Sequence, residues 1–479
     1  MKNRFNNITS KEWLPFQKSW LIEDNSNEHF NRNIRFFVKY DDEEYPPNVF
    51  FRGNENKTQI INEVTQKNGA ILYTEKDLDK IDTLQYVLID LRYDLYKNPT
   101  LKNYSLLKKQ IIELLKKLYP KLKHRRFVTI LIPNVFINYT YYPFAWDLSY
   151  NISTGLTLKD EKIACIEKDG KNIFLNDIYY ELNFRKDENT DGNFKHIETS
   201  LFENIDLKNK VKQPVIFSKR WKIIKPRPRN KKEILHPAKY PENLIEMFIE
   251  TFTKEKENVF DPMTGTGSTQ LAALQLGRNG YGTELSEFFT EIAINRLEEY
   301  INPKQTKLDF FNEEKKDVFY KILNKDVRDI ANDDFPEIDY IITSPPYWDM
   351  LNMKGAENQV KRKEKGLKIN YSDDDKDFGN IQDYNEFIKE LTDIYFKLVN
   401  DLLKPGGAFT IIVKNIKKKG KNYPFAYDLA RILQKKLILI PEFFWLQNDI
   451  NLAPYGYGNT FVSNTFHQYC LTFIKPETT

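Results

Sequence analysis

Apolar residues in the second half of the chain fall into two alternating patterns, short unbroken runs and stripes at helical spacing. Asn258-Val259-Phe260 is a short run leading into a turn, and Ser268 to Leu276 follows with a helical pattern. Asn279 to Thr283 reads as a second strand and Ser286 to Tyr300 as a second helix. Ile338 to Ile342 is a further buried strand. Between Asp383 and Leu403, the residues Phe387, Leu391, Ile394, Leu398 and Leu402 share one helical face. Gly406-Gly407 reads as the end of that helix, and Ala408 to Val413 as another buried strand. Strand and helix in alternation predict a doubly wound, Rossmann-like α/β sheet with parallel strands.

The first third of the chain repeats the end of this pattern. Tyr86 to Tyr93 can be laid over Tyr340 to Tyr347. A helical stretch follows each, beginning at Tyr104 or Tyr384, and then an apolar strand, Phe127 to Ile132 or Phe409 to Val413. Tyr142-Pro143-Phe144-Ala145-Trp146-Asp147-Leu148 matches Tyr423-Pro424-Phe425-Ala426-Tyr427-Asp428-Leu429, and Tyr180 to Lys186 matches Tyr469 to Lys475. Such blocks in one order predict an internal duplication. In the first copy Leu91-Arg92 replaces Pro345-Pro346 and no glycine loop precedes it, so that copy is expected to be inert. The predicted organisation is a degenerate, related α/β domain at 1–200, a basic linker at 201–232 and a catalytic domain at 233–479. The linker contains the run Lys219 to Lys232, with eight Lys or Arg, two prolines and no acid.

Composition narrows the class without naming it. Over 479 residues, 41% hydrophobic and 29% charged content suits a globular protein. A net charge of +4 is too small to announce a polyanion partner, so phosphate attraction must come from local patches. Cys165 and Cys470 are too few for a disulfide framework and have no ligand-spaced neighbours, so no metal is expected. No stretch approaches 18 consecutive apolar residues, and Met1 to Asn7 lacks the apolar core of a secretory signal. The expected location is cytoplasmic, with no membrane partner.

Two motifs carry the chemistry. Asp261-Pro262-Met263-Thr264-Gly265-Thr266-Gly267 stands where a strand turns into a helix. Glycine permits positive φ and close backbone approach there, and the exposed N–H groups of the next helix favour a carboxylate. Phe260, Asp261, Gly265, Gly267 and Ser268 are candidate cofactor contacts. Glu284 follows the second strand, where an acid can bind ribose hydroxyls, and Asp326 closes a third segment, where it can accept from an adenine amine. Each acid alone reads as a surface carboxylate; together they favour an adenosyl ligand.

The second motif, Thr343-Ser344-Pro345-Pro346-Tyr347-Trp348, starts 82 positions after Asp261. An amine conjugated to a base ring is a poor nucleophile, because its lone pair is spread into the ring. Acceptors on both of its N–H groups would pull the nitrogen toward a tetrahedral shape. Two prolines fix φ and remove two backbone donors, which leaves carbonyls in a rigid turn. The Ser344 side chain and the Pro345 carbonyl are the two candidate acceptors, Pro346 holds the turn, and Tyr347 offers a face for an extruded base.

With these residues in place, the chain resembles the family of N4-cytosine and N6-adenine DNA amino-methyltransferases. His236-Pro237-Ala238-Lys239-Tyr240-Pro241 resembles that family's cofactor-side motif His-Pro-Thr-x-Lys-Pro, from which Ala238 and Tyr240 depart. Asp261 to Ser268 resembles its S-adenosylmethionine motif, with Glu284 and Asp326 where the ribose and adenine contacts lie. Thr343 to Tyr347 matches its catalytic motif. The resemblance implies S-adenosylmethionine as cofactor and double-stranded DNA as substrate. It implies a restriction-modification setting with a cognate restriction endonuclease, and Ser344 favours cytosine N4 over adenine N6. An RNA amino-methyltransferase and an inactive nucleic-acid-binding protein are the rival readings. Target recognition is expected from the first 200 residues or from the insertion Leu351 to Asn380, whose lysines suit a phosphate-gripping flap. The Lys219 to Lys232 run reads either as a charged linker or, with Trp221, as a backbone-tracking segment. Asn464, His467 and Gln468 are candidates for the base pocket, His467 equally for the core.

Overall fold

The computed structural model describes the chain outside residues 1–7, 10, 12, 13, 15, 24, 25, 169–173, 213, 228–239, 303–316, 347, 349–377, 419, 420, 449–464, 478 and 479. The first half builds its sheet from β1 (Trp20–Ile22), β2 (Asn48–Arg52), β3 (Ile71–Tyr73), β4 (Leu84–Asp90) and β5 (Leu122–Ile132). A small sheet of β6 (Val135–Ile137), β7 (Thr140–Tyr142) and β9 (Phe174–Leu175) sits beside it, and β8 (Thr157–Cys165) and β10 (Ile178–Arg185) complete the main one. The main order is β1-β8-β10-β5-β4-β2-β3.

The second half supplies β11 (Trp221–Ile223), β12 (Asn258–Asp261), β13 (Asn279–Glu284), β14 (Tyr320–Asn324), β15 (Ile338–Thr343) and β16 (Leu403–Val413). It continues with a hairpin of β17 (Ile416–Lys418) and β18 (Lys421–Tyr423), then β19 (Ile438–Leu439), β20 (Phe443–Leu446) and β21 (His467–Ile474). The order β11-β20-β21-β16-β15-β12-β13-β14 is parallel from β16 to β14, with β21 running antiparallel beside β16. This is the doubly wound α/β sheet expected from the alternation. Strand order reverses between β12 and β15, and ligands of such sheets bind at that point, outside the strands' carboxyl ends.

The two main sheets agree in register, not only in order. Val259 and Phe260 lie against Tyr340 and Ile341; Val49 and Phe50 lie against Tyr86 and Val87. Both β15–β16 and β4–β5 carry a register shift at the same place, after Ile338/Leu403 and after Leu84/Leu122. Trp221 pairs with Phe444 as Trp20 pairs with Ile163. In addition, β2, the helix Glu55–Lys67 and β3 precede β4, so a strand–turn–helix unit does stand where only β4 onward had been matched; its turn has Gly53 alone.

Two sequence expectations are corrected. Gly406-Gly407 does not end the long helix, which runs Tyr384–Asp401 and stops before Pro405. Both glycines lie inside β16, where Gly406 at φ +77° makes the irregularity in pairing to β15. The basic run is also more than a linker at its start. Trp221 is buried in β11, and Arg220 is fully buried with its Nε 2.8 Å from Asp177.

One hydrophobic core runs through both halves, with Trp146 stacked on Tyr427 at 5.2 Å between ring centroids. Around it two buried carboxylates are held by the opposite half. Glu442 accepts from Tyr141, from Tyr180 at 2.8 Å and from Asn134 at 3.3 Å. Glu161 accepts from Tyr427 and from Asn415 at 2.7 Å. The indoles repeat the exchange: Trp20 donates to the Gln447 carbonyl and Trp221 to the Ile166 carbonyl.

The first sheet carries its own charge cluster. Burial raises the Glu181 carboxyl, but His29 at 3.0 Å, Lys162 and Asn183 outweigh it and hold the pKa at about 2. A carboxyl depressed below its unfolded value of 4.5 stabilises the fold above that pH and loses the contribution as pH falls toward 2. Urea midpoints measured from pH 5 to pH 2 should fall, and Glu181→Gln should flatten that slope while lowering the midpoint at pH 5. An unchanged slope would refute the assignment.

Candidate active site

The glycine loop is braced from three sides before any ligand is considered. From below, fully buried Asp261 accepts from Tyr240 at 2.6 Å, from Thr269 at 2.7 Å and from the Met263 N–H at 3.0 Å. Burial pushes its carboxyl above the usual range, against those bonds. From the side, the Thr264 N–H donates to the Thr283 carbonyl and Thr283 Oγ1 to the Pro262 carbonyl, fastening the loop to β13. From the next helix, Arg296 donates to the Thr266 carbonyl at 2.6 Å and pairs with Glu242 at 2.8 Å.

Glycine is required here for two separate reasons. Gly267 opens the helix Ser268–Gln275 at φ +77°, and a Cβ on it would sit 3.0 Å from the Ala293 methyl. Gly282 in β13 has ordinary φ but no room: a Cβ would lie 2.1 Å from Thr264 Oγ1 and 2.8 Å from the Asp261 carbonyl. Gly282→Ala should therefore cost about 1–3 kcal/mol and weaken ligand binding at the loop. Thermal unfolding of the variant checks this, and a wild-type midpoint would show that the loop has slack.

Glu284, at the end of β13, turns back to the loop. Its Oε2 accepts from the Gly265 N–H at 2.8 Å and its Oε1 from the Ser286 N–H at 2.9 Å. That position, beside a loop of positive-φ glycines, suits an acceptor for a vicinal diol. Asp326 lies one strand farther and is 8% exposed. Arg328 takes it in a fork, Nε at 3.0 Å and Nη2 at 2.8 Å, and Arg328 in turn covers the Phe378 ring at 4.9 Å. Phe260 is fully buried against Phe335, and Ser268 is nearly buried near Glu242, so both shape the loop from the core side.

The catalytic-motif turn opens beside this loop. β12 and β15 are adjacent and parallel, so the segments following Asp261 and Thr343 leave the sheet at the same edge, one strand spacing of about 4.8 Å apart. Pro345 is buried, with Ser344 and Pro346 half-buried. Trp348 anchors the turn: its indole donates to the Gln382 carbonyl at 3.2 Å, and its ring meets Tyr384 and Tyr423 edge-on. His236, Tyr347, Asn464 and most of the Leu351 to Asn380 insertion lie outside the described residues.

His467 belongs to the core. It is fully buried, with Nδ1 2.9 Å from Ser19 Oγ and Nε2 3.4 Å from Glu161, and so lies at the contact between halves and not in a base pocket. Sequence reasoning missed the roles of Tyr240 and Trp348. Tyr240 was visible only as a departure from a motif; as the donor to Asp261 it ties the preceding segment to the loop. Trp348 was visible as an aromatic directly after the turn.

At the corresponding place in the first sheet different side chains stand. Phe51 occupies the register position of Asp261, and its ring covers Gly53. Arg92 replaces the second proline, is nearly buried, and pairs with Asp90 at 2.8 Å and Glu23 at 3.3 Å.

The family profile described as DNA methylase, covering N6 and N4 enzymes, matches residues 85–295. That stretch runs from β4 of the first sheet through the glycine loop of the second. Similar curated proteins include the type II methyltransferase M.HindIII of Haemophilus influenzae, 40% identical over 16% of this chain and 24% of its own length. The orphan methyltransferase M.BamHII of Bacillus amyloliquefaciens is 42% identical over 14% of this chain and 25% of its own. The chain thus spans about a quarter of the length of these relatives. A solved rRNA methylase from Streptococcus thermophilus superposes at a TM-score of 0.27 with 12% identity, over 50% of this chain and 99% of that one; so loose a fit adds nothing to the strand order. Among the described residues no helix is long and apolar enough to cross a membrane, and no cluster of His, Cys, Asp and Glu could hold a metal. In its matched profile and its curated relatives, the chain is similar to DNA amino-methyltransferases over part of its length.

Proposed function

We propose that this protein transfers a methyl group from S-adenosylmethionine to the exocyclic amine of a flipped base in DNA, with cytosine N4 favoured. One observation carries the reading: the glycine loop and the Ser344–Pro346 turn follow adjacent parallel strands at the switch point of one sheet. The donor set fits the cofactor. Loop N–H groups suit its carboxylate, Glu284 suits the ribose hydroxyls, and Asp326 suits the adenine amine with the acceptor capacity that Arg328 leaves. When bound, S-adenosylmethionine supplies an electrophilic methyl on its sulfonium. The chain's own residues do the rest by alignment. The target amine donates one N–H to Ser344 Oγ and the other to the Pro345 carbonyl, which turns its lone pair out of the ring. As the aromatic residue that follows the turn in sequence, Tyr347 is assigned the stacking face, and buried Pro345 keeps water from its side of the turn.

The matching registers of the two sheets support reading residues 1–200 as a degenerate copy that acts as scaffold, with Phe51 and Arg92 in place of the loop acid and the proline. A restriction-modification setting, with a cognate endonuclease, fits relatives named as type II methyltransferases. Incubation with radiolabelled S-adenosylmethionine and plasmid DNA, followed by nucleoside analysis, tests the proposal. N4-methylcytosine is expected. N6-methyladenine would change the base, and label in RNA but not in DNA would overturn the substrate.

A further inference from the structure

The helix Leu101–Leu118 of the first half corresponds to Tyr384–Asp401 of the second. Two tyrosines fix the alignment: Tyr104 donates to Asp147 at 2.6 Å and Tyr384 to Asp428 at 2.8 Å. Counted from these, Lys109 and Lys117 stand where Lys389 and Lys397 do. In the second half each lysine is answered four residues later, Lys389 by Asp393 at 2.7 Å and Lys397 by Asp401 at 3.3 Å. In the first half Glu113 takes the place of Asp393 but pairs with Lys116 at 2.7 Å, and Lys121 takes the place of Asp401. Among the described residues no ion pair or hydrogen bond engages the ammonium groups of Lys102, Lys109 or Lys117.

The helix starts differ in the same sense. The second-half helix opens on Asp383 and Glu386, acids that the positive end of the helix dipole favours. The first-half helix has no acid in its first turn and carries Lys102 there, where the dipole opposes a cation. Lys102, Lys109 and Lys117 are all exposed, and they follow one another at seven and eight residues. They therefore share one side of the helix at intervals of about 10–12 Å. Asn103 seats that first turn on the preceding helix, Arg92–Lys97, by donating to the Asp94 carbonyl at 3.3 Å. On the same short helix exposed Lys97 holds its ammonium 5.6 Å from the Tyr93 ring centroid. Apolar area lies open among these charges, Tyr93 being 50% and Leu106 58% exposed. Like charges four residues apart, such as Lys117 and Lys121, repel and add nothing to a helix, so the cations answer to something outside it. A sugar–phosphate backbone offers both complements, phosphate oxygens for the ammonium groups and sugar carbons for the apolar area between them.

We infer that the outer side of the helix Leu101–Leu118 is a docking surface for the DNA backbone, with Lys102, Lys109 and Lys117 each meeting a phosphate. The inference rests on the proposed function and gives the degenerate copy a part in holding the substrate. The contact is to phosphate, so it supplies affinity and register but no sequence preference.

The test is the Lys102→Ala/Lys109→Ala/Lys117→Ala triple variant of the full chain, titrated with a short DNA duplex at several salt concentrations. Alanine is a strong helix former, so the melting temperature should stay within a few degrees of wild type. Affinity should fall at least tenfold, and the plot of log affinity against log salt should become shallower by about three. S-adenosylmethionine binding should be unchanged, and KM for DNA should rise with kcat little altered. The corresponding triple arginine variant should restore the salt slope. A wild-type slope in the alanine variant would overturn the inference, as would weakened binding of single-stranded RNA with duplex binding intact. The two readings fail separately. If wild-type protein methylates DNA and the slope does not change, the docking surface is lost and the activity stands. If the slope changes but no methyl group reaches DNA, the proposed activity is lost and the docking surface stands.

Discussion

Glu284→Ala should reduce affinity for S-adenosylmethionine at least a hundredfold while leaving the protein folded. The carboxylate stands at the end of β13 and holds the Gly265 N–H at 2.8 Å, so it is already fixed where two ribose hydroxyls would meet it. Hydrogen bonds to a charged acceptor are worth about 1.5–3 kcal/mol each, and losing two gives about 10²–10⁴-fold. The same substitution frees two backbone N–H groups, of Gly265 and Ser286, which water can satisfy because Glu284 is only half-buried. The melting temperature should therefore move by only a few degrees. Glu284→Gln keeps an acceptor for Gly265 and should fall between the two. Calorimetry decides: wild-type affinity in the alanine variant would remove Glu284 from the cofactor site.

Glu442→Ala should be the most damaging single change to the fold. Its carboxylate receives Tyr141, Tyr180 and Asn134 and lies 3.6 Å from Arg220, and every one of these groups is buried. Removing one member of a buried charged network leaves the others without partner or water, at a cost of about 3–5 kcal/mol. Because a single core links the halves, urea should unfold both in one transition at a lower midpoint. Glu442→Gln keeps the acceptor and should cost less. It should also alter the pH response: burial raises the Glu442 carboxyl despite Arg220, so its ionised form weakens the fold as pH rises from 4.5 through the folded value. The glutamine variant should lose that decline. Two separate transitions in the alanine variant would show that the halves fold independently.

Much of this site was legible in the chain. Gly265, Gly267, Ser344 and Pro345 announce themselves because backbone conformation restricts which residues can stand there, and such restrictions are local. The alternation of runs and stripes placed β12, β13, β15 and the end of β16 nearly as they stand, but it did not mark β14 at Tyr320–Asn324 as a strand and it misplaced Gly406-Gly407. Glycine pairs mark a helix end and a strand irregularity equally well, and only pairing to β15 distinguishes them. Tyr240, Asp160 and Glu161 were not legible, because their partners lie 21, 257 and 254 residues away. His467 shows the same limit: its ring answers to Ser19 and Glu161, and nothing near it in the chain names either.

By itself the sequence determined the doubly wound sheet, the order of the two motifs and the likeness of the first and last blocks, since all three follow from periodicity and from residues with narrow backbone tolerance. Tertiary structure alone decided that the two motifs share one edge, that Phe51 and Arg92 fill the first copy's equivalent of that edge, and that the halves exchange buried carboxylates. Those outcomes depend on which strands become neighbours and which charges lose their water, and both are settled only when distant segments pack.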